Sequence, residues 1–541
     1  MPIVFGDLMT NLGNLGLPEY SLFYNQRILH AAGVVIPYNK DSIKYYHTRK
    51  PFTYAHYTQG TALEQTIDLW HTQNISPLFN MTAAFKRLGN PGMYLNQEVI
   101  NNRFFVSGIF GNDTNRMRFD FFYRRDVWDN SFNGGLVADS VFEQNLLPAN
   151  NPKLYEFNLN DVRARTLSHE LGFNLQYVVK NVRESLKIVW HQTYRWDNSS
   201  WQYRENIPIE NFYFNDFHNS SDTIKDGFQF VSSQITQGIS LENKERLKVK
   251  VSIGNQWGSY LNRLNDTVFI APYIDLAFYY FTEKWQLLIS DRLFVYGFNA
   301  MKQDATINST YLIDEKWTIN FKGYYNSLNP GINHLRYNSS RFIWKDNTYD
   351  VSQYGLTGRI LRKEKIYAEL GQHTLINPIY FNNVGNRAQE ETKTHVSSFL
   401  LGGDLTSKRF GFFYKAIYQY VGGYQILPLP DFVAQVGLYS DMSLFKQALK
   451  FRPGISIKYW NEYYAPGFIP ATGFYHIQRE KRLGNYPFVD AFVLFNIKTV
   501  NLYFMMSHIN SGLIGNTYFD ALHYPSRQRA FRLGLNWNFW N

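Results

Sequence analysis

Cysteine is absent from all 541 residues, so neither a disulfide framework nor a thiolate metal site can form. No run of about 18 apolar residues occurs and the mean hydropathy is −0.35, which excludes a protein that crosses a membrane on helices. Ser/Pro-rich tracts, long charge blocks and low-complexity segments are missing too, so the chain shows no linker and reads as one continuous architecture. The net charge is +10, yet no Lys/Arg-rich run concentrates it, and nucleic acid is not an expected partner. Met1-Pro2-Ile3-Val4-Phe5 has no charged n-region, apolar core or cleavage site; an exported protein with this start is expected to be mature or truncated.

Catalytic signatures are equally scarce. Of 13 histidines, His169 with Glu170 lacks the second His of a zincin helix, and no Gly-x-Ser-x-Gly elbow or phosphate loop exists. Nothing marks the outward Ser, His and carboxylate set of a barrel phospholipase. The expectation is a protein that is not an enzyme and needs no cofactor. His71-Thr72-Gln73-Asn74 reads as a hairpin turn between the second and third strands, its amides serving turn backbone groups.

What the chain has in abundance is aromatic side chains, 18% of the residues with 40 Tyr and 44 Phe, set in short alternating segments. Phe531, Leu533, Leu535, Trp537 and Phe539 fill one phase of the last stretch, and Arg532, Gly534, Asn536 and Asn538 the other. An extended strand of this pattern is apolar on one face and polar on the other. It is about ten residues long, enough for a tilted strand to cross hydrocarbon. Leu247–Gly254 repeats the pattern, with Val249, Val251 and Ile253 against Lys248, Lys250 and Ser252. Trp190, Trp285, Trp317, Tyr177, Tyr459 and Phe539 fall in or near the apolar phase toward strand ends, as interfacial girdles require. Asp291 breaks its phase, which calls for a bulge or a position near a membrane rim.

Tight connections at residues 111–115, 180–183, 242–245, 282–284, 314–316, 362–365 and 406–409 alternate with long ones at 128–163, 198–224, 328–349, 374–391, 461–485 and 511–528. This predicts an all-β, transmembrane, up-and-down antiparallel barrel over residues 51–541, with short periplasmic turns and long extracellular loops. The strand number comes to about 22, within roughly 18 to 24. Residues 1–50, rich in turn formers around Asn11–Pro18, are expected to form a periplasmic or lumen-packed segment. The rival is a soluble multi-sheet β protein.

Residues 51–127 resemble the putative-porin family of Bacteroidota outer membranes, through Pro51-Phe52-Thr53, Tyr57 with Gly60, Glu64-Gln65, His71–Ile75 and the Gly89–Tyr94 turn, with Asn133-Gly134-Gly135 just beyond. The resemblance implies an integral outer-membrane barrel that conducts solutes. Its partners would be the bilayer with its lipopolysaccharide, small solutes, and the assembly machinery reading the terminal strand. Together with barrel size this gives a porin-like channel for passive diffusion of small hydrophilic solutes; the alternative is a non-conducting barrel serving as a structural or assembly subunit. The polar phase places Arg118, Arg124, Lys187, Arg195, Lys248, Lys250, Lys322, Lys450, Arg452, Lys458 and Arg532 toward the lumen. These cations outnumber acids such as Glu64, Asp120, Glu170 and Asp490 in the same phase, so an open pore would have a modest anion preference. Pairing across strands is the competing reading of the same charges.

Overall fold

The computed structural model describes residues 43 and 45–540, apart from 112–114, 148–150, 184, 210–211, 214–222, 244–245, 263–264, 328, 346–347, 364 and 424–425. Alternation fixes two faces on each strand, and pairing then follows chain order, each strand running antiparallel to the next. The first strand, Phe52–Gly60, closes on the last, Ala530–Trp540, with Phe52 opposite Trp540 and Gly60 opposite Arg532. The main sheet has 23 segments. Met442–Leu444 continues Phe432–Ser440 against the same neighbour, which leaves a closed barrel of 22 strands. Closure removes both sheet edges. Among the described residues helix is confined to short pieces such as Asp139–Glu143 and Ile332–Leu335.

The burial pattern is that of a membrane wall. Ile253 is 65% exposed while Ser252 beside it is 2% exposed, the reverse of a soluble sheet packed on an apolar core. Trp285, Trp317 and Tyr177 are exposed in the same outward phase. The wall is uneven in height: Val162–Arg183 has 22 residues and Leu186–Glu205 has 20, whereas Trp285–Phe294, Gln303–Leu312 and Trp317–Asn326 have 10 each. Inward aromatics lie over glycines of the neighbouring strand, Tyr503 on Gly534 and Phe492 on Gly454 among them. A Cβ at Gly534 would come within 2.0 Å of the Tyr503 ring, so the ring needs that vacancy to lie flat.

One local expectation is corrected and another resolved between its alternatives. His71, Gln73 and Asn74 lie within the strand Gln65–Ser76, and the turn comes at residues 77–78. The alternation of His71, Gln73 and Ile75 with Thr72 and Asn74 is strand period, and the inward Thr72, Asn74 and Asn80 bond to one another across the hairpin. Asp291 needs no bulge, because the register of Trp285–Phe294 is unbroken; it sits near the outer end of that strand and accepts both Gln303 Nε2 contacts at 3.0 Å.

Candidate functional site

Several outer loops fold inward over the mouth of the barrel. Residues 327–351, 377–392, 461–487 and 508–529 each fold a small hairpin: Arg336–Asn338 with Ile343–Lys345, Ile379–Phe381 with Arg387–Gln389, Gly467–Ile469 with Phe474–His476, and Phe519–Ala521 with Tyr524–Pro525. Their apolar faces share one buried core with Phe132, Trp201 and Tyr203, which project inward from the wall. Tyr337 stacks on Trp344 at 4.6 Å, Phe381 on Phe474 at 4.4 Å, and Phe468 reaches Phe132 at 5.2 Å. A second core joins residues 91–98 and 133–161 to the last two long loops, with Phe142 edge-on to Tyr518 at 5.1 Å and to Tyr155 at 5.6 Å. Loops that share a core with lumen-facing side chains have turned inward, and together they form a cap.

Buried ions pin the cap to the wall. Glu205 and Arg341 pair at 3.2 Å with side chains 0% and 1% exposed. Ile209 N–H also donates to Glu205, and the guanidinium lies 5.3 Å from the Tyr213 ring. Ser340 donates its N–H and hydroxyl to Asp226 at 2.9 and 3.1 Å. At the closing seam Glu64 receives Arg527 at 2.5 Å and Arg532 at 3.0 Å. Burial, then the field of Arg532, holds Arg527 down to about 10.

A looser clasp joins three loops: Asp139 meets His523 at 3.2 Å and Lys481 at 2.5 Å, Lys481 meets Glu143 at 2.7 Å, and His523 meets Glu480 at 3.5 Å. The Asp139 hydrogen bond raises His523 above its ordinary value against the effect of burial. Burial would raise the Asp139 carboxyl, but its bonds from His523 and Lys481 outweigh that and hold it low.

Below the cap, the cations picked from the sequence meet acids. Arg124 pairs with Glu170 at 2.5 Å; Lys187 and Lys248 share Glu242 at 3.2 and 2.8 Å; Arg452 reaches Asp441 at 2.6 Å and Arg118 lies 3.9 Å from Asp120. Lys458 is diagonal to Asp490 across the Ser456–Asp490 rung. Arg195, Lys250, Lys322 and Lys450 stand on the same strand phases but are spread around the barrel and do not gather into one site. Glu242 and Asp441 sit at strand ends, where alternation assigns no face, and Asp126 pairs with Arg103 at 2.7 Å; none of the three is among the acids expected from the polar phase. Near the periplasmic end, residues 45–50 run along the inside of the wall. Tyr46 packs edge-on to Trp70 at 5.7 Å, Thr48 N–H donates to Asn74 at 3.3 Å, and the Tyr45 hydroxyl bonds to Asp120. Residues 1–42, most of the segment set apart in the sequence, lie outside the described residues.

Sequence reasoning missed the cap. The signal was available in the long connections, where Tyr337, Phe342, Trp344, Phe468 and Phe474 supply far more large apolar surface than a solvated loop needs. Among the described residues no cluster of three or more His, Asp or Glu is placed to hold a metal.

The solved structures similar to this barrel include the FrpB iron transporter of Neisseria meningitidis, at TM-score 0.64 and 8% identity over 91% of this chain and 83% of that one. Others are the ferric-catecholate import receptor Fiu of E. coli K12, at TM-score 0.59 and 12% identity over 91% and 82%, and the siderophore receptor PirA of Acinetobacter baumannii, at 0.62 and 9% over 92% and 81%. At these identities the likeness establishes the fold: a large integral outer-membrane barrel. No curated protein sequence matches the chain. The expectation of a passive diffusion channel is corrected, since the similar barrels are ligand receptors and transporters, and loops here share a packed core across the mouth. The anion preference argued for an open lumen goes with it, because acids answer many of the cations. A family model described as "Putative porin" matches residues 6–541, and the chain belongs to that family.

Proposed function

We propose that this protein is a gated uptake receptor of the outer membrane, in which a ligand engages the capping loops from outside and enters the lumen only when they part. The observation that carries this reading is the aromatic core closing the mouth. An open pore gains nothing from burying so many aromatic rings across its entrance. The iron and siderophore receptors named above support a metal chelate as the class of cargo. Residues 1–50 belong to the proposal as a lumen-packed segment, a role supported by the contacts of Tyr45, Tyr46 and Thr48 with inward wall residues. The Bacteroidota origin implied by residues 51–127 is part of the same reading.

Planar bilayers test the gate. Wild-type protein should insert and pass no steady current, whereas replacing residues 467–476 with two glycines should open a conducting pore. A steady open conductance in the wild type refutes the gate. Titration with a ferric catecholate tests the cargo, since Trp344 and Trp201 lie in the cap core and their fluorescence should respond at low ligand concentration. A flat titration refutes that class.

A further inference from the structure

On the lipid side, the strands Ser352–Arg362, Ile366–Ile376, Lys393–Thr406 and Phe410–Gly423 enclose a notch of about 430 Å³. Register places Leu356, Gln372, Ser397 and Tyr420 on one rung, and Gly358, Leu370, Phe399 and Tyr418 on the outward rung nearer the periplasm. The notch exists because Gly358 carries no side chain between large neighbours: a Cβ there would meet no atom within 4 Å. One outward step above Leu356 lies the pair Tyr325 and Tyr354, so the notch sits just inside the outer interfacial girdle.

Its chemistry runs in one direction. Toward the outside, Thr374 bonds to His395 at 3.0 Å and the Ser397 hydroxyl donates to the Gln372 carbonyl at 2.5 Å. Toward the periplasm the next outward rung is Ile360, Ala368, Leu401 and Ala416. A Gln–Ser pair facing hydrocarbon is costly unless its other polar atoms are engaged. Ser397 occupies the Gln372 carbonyl and leaves the amide N–H groups to be met from the bilayer. A second copy of the barrel suits this place poorly: two convex walls do not fill a hollow two rungs tall, and a stable interface needs roughly 1,000 Å² or more. An acylated amphiphile suits it, with its chain over Gly358 and its carbonyl at the level of Gln372.

We propose that this notch binds one lipid A molecule of the outer leaflet, an acyl chain filling the space over Gly358 and an amide or ester carbonyl accepting from Gln372 Nε2. Lipid A is the source chosen because the Gln372–Ser397 rung lies one outward step from Tyr354 on the extracellular side of the wall, the level of an outer-leaflet acyl linkage, and because amide-linked hydroxyacyl chains both donate and accept, as Gln372 and Ser397 do.

The test uses the full-length barrel in nanodiscs, loaded with purified lipid A or with phosphatidylethanolamine, and native mass spectrometry after detergent washing. Wild type should retain one lipid A. Gly358→Phe puts a ring into the notch from a Cβ position that meets no atom within 4 Å and should cut retention about tenfold, and Gln372→Leu by a similar factor, the scale of one hydrogen bond made in hydrocarbon. Gly89→Phe, where a Cβ also meets nothing within 4 Å, is the control and should retain lipid as wild type does. Heat-modifiable gel mobility reports folding, and if Gly358→Phe fails to fold, Gln372→Leu decides. Equal retention in the notch variants and wild type overturns the proposal, as does preferential retention of phosphatidylethanolamine or a wild-type dimer that Gly358→Phe dissociates.

Discussion

At the outer end of the tall strands the inward positions are Phe132, Val162, Trp201, Tyr203 and Ile224, whereas lower on those strands they are Arg124, Glu170, His191, Asp197 and Ser232. Antiparallel pairing and alternation are the same in both regions. What differs is what lies opposite. At the mouth the facing partners are loop hairpins, so apolar rings bury against apolar rings and each large side chain gains about 1.5–3 kcal/mol. Lower down the facing partner is the next strand and charges are matched pairwise along the wall: partly exposed pairs such as Lys187 and Lys248 with Glu242 are worth about 0–1 kcal/mol, whereas Arg124 with Glu170 is a buried pair. Apolar burial therefore concentrates at the mouth, and the wall below can vary in charge at little cost where its pairs are partly exposed, as around Glu242.

The largest effect is expected where the two regimes meet, at Glu205 and Arg341. Arg341→Ala leaves a fully buried carboxylate without its cation and should destabilise the cap by about 3–5 kcal/mol. Bilayer recordings should show openings absent from wild type, and protease should cut within residues 327–351. The double replacement Glu205→Leu with Arg341→Met should restore closure, since an apolar pair of similar volume is often as stable as the buried ions. If Arg341→Ala stays silent and protease-resistant, the aromatic core alone closes the mouth.

The barrel was legible because its signal is periodic: Leu247–Gly254 and Phe531–Phe539 state both faces of the wall without reference to any other segment, and the alternation of tight and long connections orders the strands. The cap is not periodic. Phe468 meets Tyr475, and Ile469 meets Phe474, only because the chain reverses between them, and the ring partners of Phe468 and Phe474, Phe132 and Phe381, come from far along the sequence. The lumen charges were legible in phase and illegible in balance: a one-strand reading sees Lys248 but not Glu242 across the turn.

A medium effect is expected from pH acting on the clasp. His523 is raised above its ordinary 6.5, so its contribution is fully present below that value and is lost as pH rises through its folded value. Asp139 is held below its ordinary 3.8, so its share is present above that value and is lost only as pH falls through its own lower folded value. The clasp is thus strongest from mildly acidic pH up to about 6.5, and weakens on the alkaline side. With His523 partly exposed to solvent the effect is on the order of 0.5 kcal/mol. Protease accessibility of residues 133–161 should rise between pH 5.5 and 8.5, and His523→Gln should flatten that dependence while Glu480, Lys481 and Glu143 keep the loops together. A wild-type profile that rises toward acid instead would reverse the assignment.

The smallest effect belongs to the wall itself, and it shows only once the mouth is open. In the variant lacking residues 467–476, Glu242→Gln removes the carboxylate shared by Lys187 and Lys248, leaving two inward ammonium groups facing lumen water. Their field reaches about 8 Å at physiological salt, so they bias passing ions without binding them. The reversal potential under a KCl gradient should shift by a few millivolts toward anions and fade as salt rises, and Lys248→Gln in the same background should move it the other way. Insertion and heat-modifiable mobility should stay unchanged in both, because a hydrated pair adds about 0–1 kcal/mol to the wall. A large shift, or loss of folding on Glu242→Gln, would mean that these charges are dry and structural, and that the contrast between a packed mouth and a solvated wall does not hold on the Leu186–Asn262 side of the barrel.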